Sequence, residues 1–214
     1  KAERGTYSGT TFTPLETYAR GYDAVGNRIL EVTPAGVTQW SYDPLNRVSC
    51  VARRMNPSVY QSLPNDACAP SAEGPNGPDR ITEQVYDQVS RVIQVISAYG
   101  TSSQQTTATQ TWSNNSVLAT LKDANNNLTT YIRDGFDRVS KIEFPDPTTH
   151  GVSSTTDYEQ YGYDANSNVT SDRRRDGTSF SLAYDNLNRL ITADAPSGTD
   201  DITYQYDLFG RQTQ

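Results

Sequence analysis

The chain of 214 residues has little of what cofactor and acid–base chemistry draw on: one histidine, two cysteines and one methionine. With a single imidazole and no CxxC pair, no Cys/His cluster of metal-ligand spacing can be assembled. The histidine, His150, lies in the loop-like run Pro145-Asp146-Pro147-Thr148-Thr149-His150-Gly151, where a solvated surface position is expected. No GxSxG elbow, phosphate loop or dinucleotide fingerprint occurs. Basic charge is also short: 18 Lys and Arg stand against 25 Asp and Glu, a net charge of -7. That balance argues against a nucleic-acid partner, which needs a basic patch. The one cationic cluster, Arg173-Arg174-Arg175, reads as a solvated strand or turn. No apolar run is long enough to span a bilayer, and no signal peptide is visible. The chain starts at Lys1 and not Met, and both ends read as cut from a longer polypeptide.

Aliphatic residues are scarce too. Only 34% of the chain is hydrophobic, and Leu, Ile, Val and Phe make up about 18%, the low-hydrophobicity half of a disorder signature. The other half is missing, because the net charge is modest and 14 Tyr with 2 Trp are too much aromatic surface for a solvated coil. Thr, Ser, Asn and Tyr are abundant and good helix formers are few. The composition predicts a polar all-β protein with an aromatic packing face.

A repeat organises the chain. Tyr-Asp pairs occur at Tyr22-Asp23, Tyr42-Asp43, Tyr86-Asp87, Tyr163-Asp164, Tyr184-Asp185 and Tyr206-Asp207. Two degenerate copies fill the widest gap: Trp112-Ser113-Asn114-Asn115-Ser116-Val117, and Arg133-Asp134-Gly135-Phe136-Asp137-Arg138-Val139. The intervals set a period of about 21 residues with insertions, within the range of repeat architectures. A second turn signal lies between marks: Thr33-Pro34-Ala35-Gly36, Asp123-Ala124-Asn125-Asn126-Asn127, Asp176-Gly177 and Ala195-Pro196-Ser197-Gly198. Two turns per period leave two strands of ordinary length, so the unit is a β-hairpin.

In each mark the Asp is placed to form an Asx-turn, and the Gly or Asn that follows suits left-handed geometry. Ahead of each mark the strand alternates: Trp40 precedes Tyr42 by two, Tyr161 precedes Tyr163, and Tyr204 precedes Tyr206. That spacing puts both on one face and predicts a ladder of rings along stacked hairpins. Asp123-x-Asn125-x-Asn127 and Asp164-x-Asn166-x-Asn168 resemble the start of a calcium loop. The former has Leu128 where that loop needs Gly and Asp134 in place of the final Glu, so both are read as turns.

Cys50 and Cys68 flank a Pro-, Asn- and Gly-rich stretch, so residues 50–80 read as an insertion loop, and residues 143–157 as a second one. Two readings stand for the cysteines: free thiols of a cytosolic protein, or a disulfide. The disulfide is favoured, because a loop with little core of its own gains most from a staple. It would close roughly 17 residues, worth about 3 kcal/mol in the chain-entropy model.

The set YDAVGNR, YDPLNRV, YDQVSRV, YDANSNV, YDNLNRL and YDLFGR, with its PAG, DANNN and DG turns, resembles the Rhs or YD-repeat family from about Tyr18 onward. The resemblance implies an all-β fold of successive antiparallel β-hairpins of about 21 residues forming a curved, spiralling YD-repeat β-strip, with residues 1–214 a single segment of a longer strip. In bacterial polymorphic toxins and Tc-type toxins such strips form a hollow shell around a toxin; in teneurins the shell belongs to an extracellular adhesion protein. The family's self-cleaving Asp-Pro-x-Gly motif is not matched, since Asp43-Pro44 runs into Leu-Asn and Asp146-Pro147 into Thr-Thr. The expectation is therefore a non-enzymatic scaffold without catalytic, cofactor or metal residues, in a secreted or cell-surface protein. Its partners would be flanking YD repeats or identical chains pairing through edge strands, and an enclosed toxin or a surface glycan. The alternative is an extracellular carbohydrate- or protein-binding adhesion module, with Trp40 or Trp112 stacking on a ligand.

Overall fold

In the computed structural model, the backbone is described for residues 2–8, 11–196 and 201–213, and side chains for residues 18–196 and 201–213. The Ser197-Gly198 half of the last expected turn lies outside them. Among the described residues sixteen strands follow one another: β1 (Ala2–Ser8), β2 (Thr11–Tyr22), β3 (Arg28–Thr33), β4 (Gly36–Tyr42), β5 (Val48–Arg54), β6 (Arg80–Tyr86), β7 (Val92–Ser97), β8 (Gln105–Trp112), β9 (Leu118–Asp123), β10 (Leu128–Arg133), β11 (Val139–Pro145), β12 (Ser153–Tyr163), β13 (Val169–Arg173), β14 (Ser179–Tyr184), β15 (Leu190–Asp194) and β16 (Ile202–Thr203). Among the described residues the sole helical piece is a short 3-10 turn at Pro57–Val59, and no helix is long and apolar enough to cross a membrane.

The chain divides into two compact units, residues 1–109 and 110–214. In the first, β1 to β8 pair antiparallel, each with its neighbour in sequence. In the second, β9 to β16 do the same. The chain is thus all-β and built from successive hairpins. Polar, β-branched and aromatic residues suit such strands because each is only half-buried on a pleated surface.

Among the described residues the fully buried apolar core is small and sits in the first unit, where Val37, Cys50, Ala52, Ala67 and Ile81 are at most 2% exposed. Alternation explains the set. Val37 and Gln39 on β4, Cys50, Ala52 and Arg54 on β5, and Ile81 on β6 share one face, with Gln39 opposite Ala52 and Ala52 opposite Ile81. The segment between β5 and β6 folds over this face. Cys50 and Cys68 are joined as a disulfide with Cα atoms 5.2 Å apart. The amide of Ala67 donates to Ser41 Oγ at 2.7 Å.

The cover is held by a buried cation. Arg54 is 1% exposed. It donates to Asp79 Oδ2 at 2.7 Å, to Gln39 Oε1 from Nε and Nη2, and to the carbonyls of Ala69 and Asp66. Burial pushes the Asp79 carboxyl up, but donors from Ser71, Arg54 and the Met55 amide more than offset it and hold it below the usual range. Gly74 is needed here, because a Cβ would lie 2.5 Å from Asn56 Cγ.

Candidate functional site

The repeated marks form one structure used many times. In each, five residues close a hairpin. The first residue's amide donates to the fifth residue's carbonyl, and the fourth residue's amide donates back to the first residue's carbonyl; for Asp43 to Arg47 these are 2.8 and 2.9 Å. The same pair of bonds closes the turns that start at Asp23, Asp87, Ser113, Asp134, Asp164, Asp185 and Asp207. The fourth residue always has positive φ: Gly26, Asn46, Ser90, Ser116, Asp137, Ser167, Asn188 and Gly210. This is a type I turn followed by a left-handed residue, a common way to close a hairpin. Gly and Asn were the expected occupants; Ser fills the position three times and Asp once.

The aspartate is consumed by its own loop. In the Asp87 turn, Oδ1 accepts the amides of Val89 and Arg91 and Oδ2 accepts Arg91 Nε at 2.7 Å. Asp43, Asp134, Asp185 and Asp207 repeat this with Arg47, Arg138, Arg189 and Arg211, and Asp23 and Asp164 with Asn27 and Asn168. The Arg47 and Arg138 guanidinium groups hold Asp43 and Asp134 below the usual carboxylate range, and the Asn168 amide group does so for Asp164. For Asp87, Asp185 and Asp207 the largest cause is the backbone amide of the fifth residue.

The calcium-like runs are the same device. Asp123 Oδ1 accepts the amides of Asn125 and Asn127, and Oδ2 accepts Asn127 Nδ2. The motif therefore also closes a hairpin that carries no tyrosine. No group of three or more His, Cys, Asp or Glu suited to a metal ion occurs among the described residues. His150 is exposed in a loop whose Gly151 amide donates to the Asn126 carbonyl at 2.8 Å.

The tyrosine joins one hairpin to the next. Each returning strand carries a bulge just after its turn: Tyr42 faces Val48 but Ser41 faces Cys50, and Tyr163 faces Val169 but Gly162 faces Ser171. Pairing with the following strand stops at the bulge, at Leu30, Cys50, Lys141 and Thr192, two residues short of the strand's first residue. The next tyrosine donates to the carbonyl left there. Tyr42 Oη reaches Arg28 O at 3.0 Å, Tyr86 reaches Val48 O at 2.9 Å, Tyr163 reaches Val139 O at 2.7 Å and Tyr206 reaches Leu190 O at 2.8 Å. In the degenerate copy, Arg133 stands in for tyrosine and its Nη2 donates to the equivalent carbonyl of Leu118 at 3.2 Å.

The rings of Tyr42, Tyr86, Tyr163 and Tyr206 are half-buried, and guanidinium groups are interleaved where alternation alone suggested ring on ring. Arg47 lies over Tyr86 at 4.5 Å, Arg138 over Tyr163 at 4.3 Å, Arg189 over Tyr206 at 4.4 Å and Arg28 over Trp40 at 4.2 Å. The Arg173-Arg174-Arg175 cluster is absorbed likewise, over Tyr158, Phe180 and Phe144. Trp40, a candidate ligand-stacking ring, is half-buried and carries Arg28 over one face. Tyr161 donates to Glu159, and burial first, then that carboxylate, pushes its hydroxyl up to about 12.

Residues 163–200 match the family model described as RHS Repeat. No curated protein matches the chain. Among solved structures, the chain is similar to the crystal structure of TcdB2-TccC3-TEV, with TM-score 0.63 and 14% identity over 95% of this chain and 10% of that one. TcdB2-TccC3-Cdc42 gives 0.54 and 18% over 97% and 13%. The Tc holotoxin pore of Photorhabdus luminescens gives 0.53 and 17% over 97% and 12%. The chain therefore spans only 10% to 13% of the length of these relatives, and at such identities the likeness is one of fold. Hydroxyl-latched hairpins and Asp-closed turns thus run along a chain whose residues 163–200 match the RHS repeat and whose fold is similar to that of these Tc toxin structures.

Proposed function

We propose that the chain is a non-enzymatic segment of a shell wall in a secreted or cell-surface protein, and that the completed wall encloses or displays a toxin or effector. One observation carries this reading: the chemistry repeated along the chain is spent inside the strip. The marks' aspartates satisfy their own loops, Arg47, Arg138 and Arg189 lie on rings, and the hydroxyls of Tyr42, Tyr86, Tyr163 and Tyr206 bond carbonyls of the preceding hairpin. What remains outward at the turns is the third residue, and it is apolar and exposed in six of them: Val25, Leu45, Val89, Phe136, Leu187 and Phe209. Within each unit, successive hairpins place their tips about 10 Å apart, two strand spacings. Such an edge suits packing against another stretch of wall. The natural partners are flanking repeats of the same polypeptide, with identical chains the other source of a matching edge.

Electron microscopy of the full polypeptide that carries the strip tests the reading. A hollow particle with separate density inside is expected. An open or solid particle with no enclosed volume overturns it.

A further inference from the structure

Successive turns on the tyrosine-marked edge are bridged by side chains, and the bridging residues come in matched lengths. Where the fifth residue of a turn is Arg, the fourth residue of the next turn is small. Arg47 Nη1 donates to Ser90 Oγ and to Asp87 O, both at 3.1 Å. Arg138 Nη1 donates to Ser167 Oγ at 3.0 Å and to Asp164 O at 3.3 Å. Arg189 faces Gly210, whose added Cβ would lie 3.9 Å from Nη1. Where the fifth residue is Asn, the fourth residue of the next turn is also Asn. Asn27 Nδ2 donates to Asn46 Oδ1, and Asn168 Nδ2 donates to Asn188 Oδ1 at 2.9 Å. Where the fifth residue is Val117, which has no donor, Asn115 takes over and bonds Asp137 Oδ2 at 2.8 Å.

The reason is geometric. Two strand spacings, about 10 Å, separate neighbouring turns. A long guanidinium leaves room only for Ser or Gly opposite, and a short amide needs a second amide to reach it. The neighbour also buries the cation. Arg47, Arg138 and Arg189 side chains are 20%, 22% and 28% exposed, whereas Arg211, on the last turn, is 76% exposed.

We propose that the fifth residue of one turn and the fourth residue of the next form a pairing code, Arg with Ser or Gly and Asn with Asn, that selects which hairpin stands beside which. The hairpins share one backbone turn, so the backbone does not tell them apart. The code does, and an incoming hairpin with the wrong fourth residue meets either a clash or a gap. The purpose of the code rests on the wall reading, but the coupling it predicts is read from stability and stands whether or not a cargo is enclosed.

Two double-substitution cycles on the whole chain test it, one in each unit. Arg47→Asn and Ser90→Asn are made singly and together, and so are Asn168→Arg and Asn188→Ser. Each single change is expected to lower the unfolding midpoint, and each double to recover most of the loss. The cross-unit pair Arg47→Asn with Asn188→Ser is the control and is expected to lose the sum of its singles. Additive losses in both cycles overturn the code. Because the cycles lie in different units, a variant that fails to fold in one leaves the other to decide.

Discussion

The Tyr86 hydroxyl donates to the Val48 carbonyl across 38 residues of sequence. Nothing local connects the two; the bulge after the Asp43 turn leaves the carbonyl outside the ladder, and the ring from the next mark reaches it. The latch separates what the ring contributes from what the hydroxyl contributes. Tyr86→Phe and Tyr163→Phe keep the ring and leave a half-buried carbonyl without its donor, and each is expected to cost about 1 kcal/mol by denaturant unfolding. Tyr184 makes no such bond among the described residues, and Tyr184→Phe is expected to stay within about 0.5 kcal/mol of the parent. Equal losses at all three would mean that the hydroxyl bond is not what stabilises the hairpin stack.

The cover between β5 and β6 depends on two ties of different kinds. The disulfide restrains the unfolded chain, so Cys50→Ser with Cys68→Ser is expected to lower stability by about 3 kcal/mol. The Arg54–Asp79 pair, with side chains 0% and 1% exposed, acts in the folded state. Removing one partner leaves a buried charge uncompensated, so Arg54→Met is expected to cost about 3 kcal/mol or more. Limited proteolysis separates these from a general loss: cleavage is expected first within residues 55–79 in both variants, while β9 to β16 stay protected.

The hairpin organisation was legible because the turn chemistry recurs at fixed spacing: an Asp, a left-handed residue three later, then Arg or Asn. The disulfide was legible from the loop it closes. Other features lay beyond a local reading. The DANNN turn was seen as a second kind of turn, yet its Asp123 makes the same bonds as Asp23, because the aspartate and the left-handed residue define the loop and the tyrosine does not. Arg54 was passed over although it shares its alternation with Cys50 and Ala52, which was signal enough to place it inward. Its partner Asp79 is 25 residues away across the insertion, and no pattern in the sequence joins them. The interleaving of arginines with tyrosines was hidden for a similar reason: Arg47, Arg138 and Arg189 each stack on the tyrosine of the following mark.

Acid should attack the turns. The carboxyls of Asp43, Asp87, Asp134, Asp164, Asp185 and Asp207 are held below their ordinary values by the donors around them. In the unfolded chain they return to about 3.9. A depressed folded value means that the unfolded state binds more protons in the interval between the two, so stability falls as pH falls. The contribution is complete well above the unfolded value and is lost as pH drops through the lower folded values. Thermal melts are expected to be flat near neutrality and to fall steeply below about pH 4. Asp43→Asn with Asp87→Asn is expected to melt lower at neutral pH but to lose less on acidification. An unchanged acid slope would mean that these carboxyls do not carry the effect.

Arg133 marks a place where the repeat can be improved. It occupies the tyrosine position of its mark, faces Val139 as Tyr163 faces Val169, and reaches Leu118 O with one nitrogen and Asp137 O with another. Its Nε is buried without a hydrogen-bond partner among the described residues. A buried donor left unmade carries a desolvation penalty of about 1–3 kcal/mol. Arg133→Tyr removes that donor and supplies the hydroxyl that the Leu118 carbonyl accepts in the sister repeats. It forfeits the bond to Asp137 O, which lies at the open end of a turn where water can replace it. The variant is expected to be more stable than the parent by about 1 kcal/mol, with Arg133→Phe, which has the ring but no hydroxyl, falling below it by a similar amount. If Arg133→Tyr is destabilising, the arginine is held there by something other than the latch, and the equivalence of the degenerate mark with the others fails.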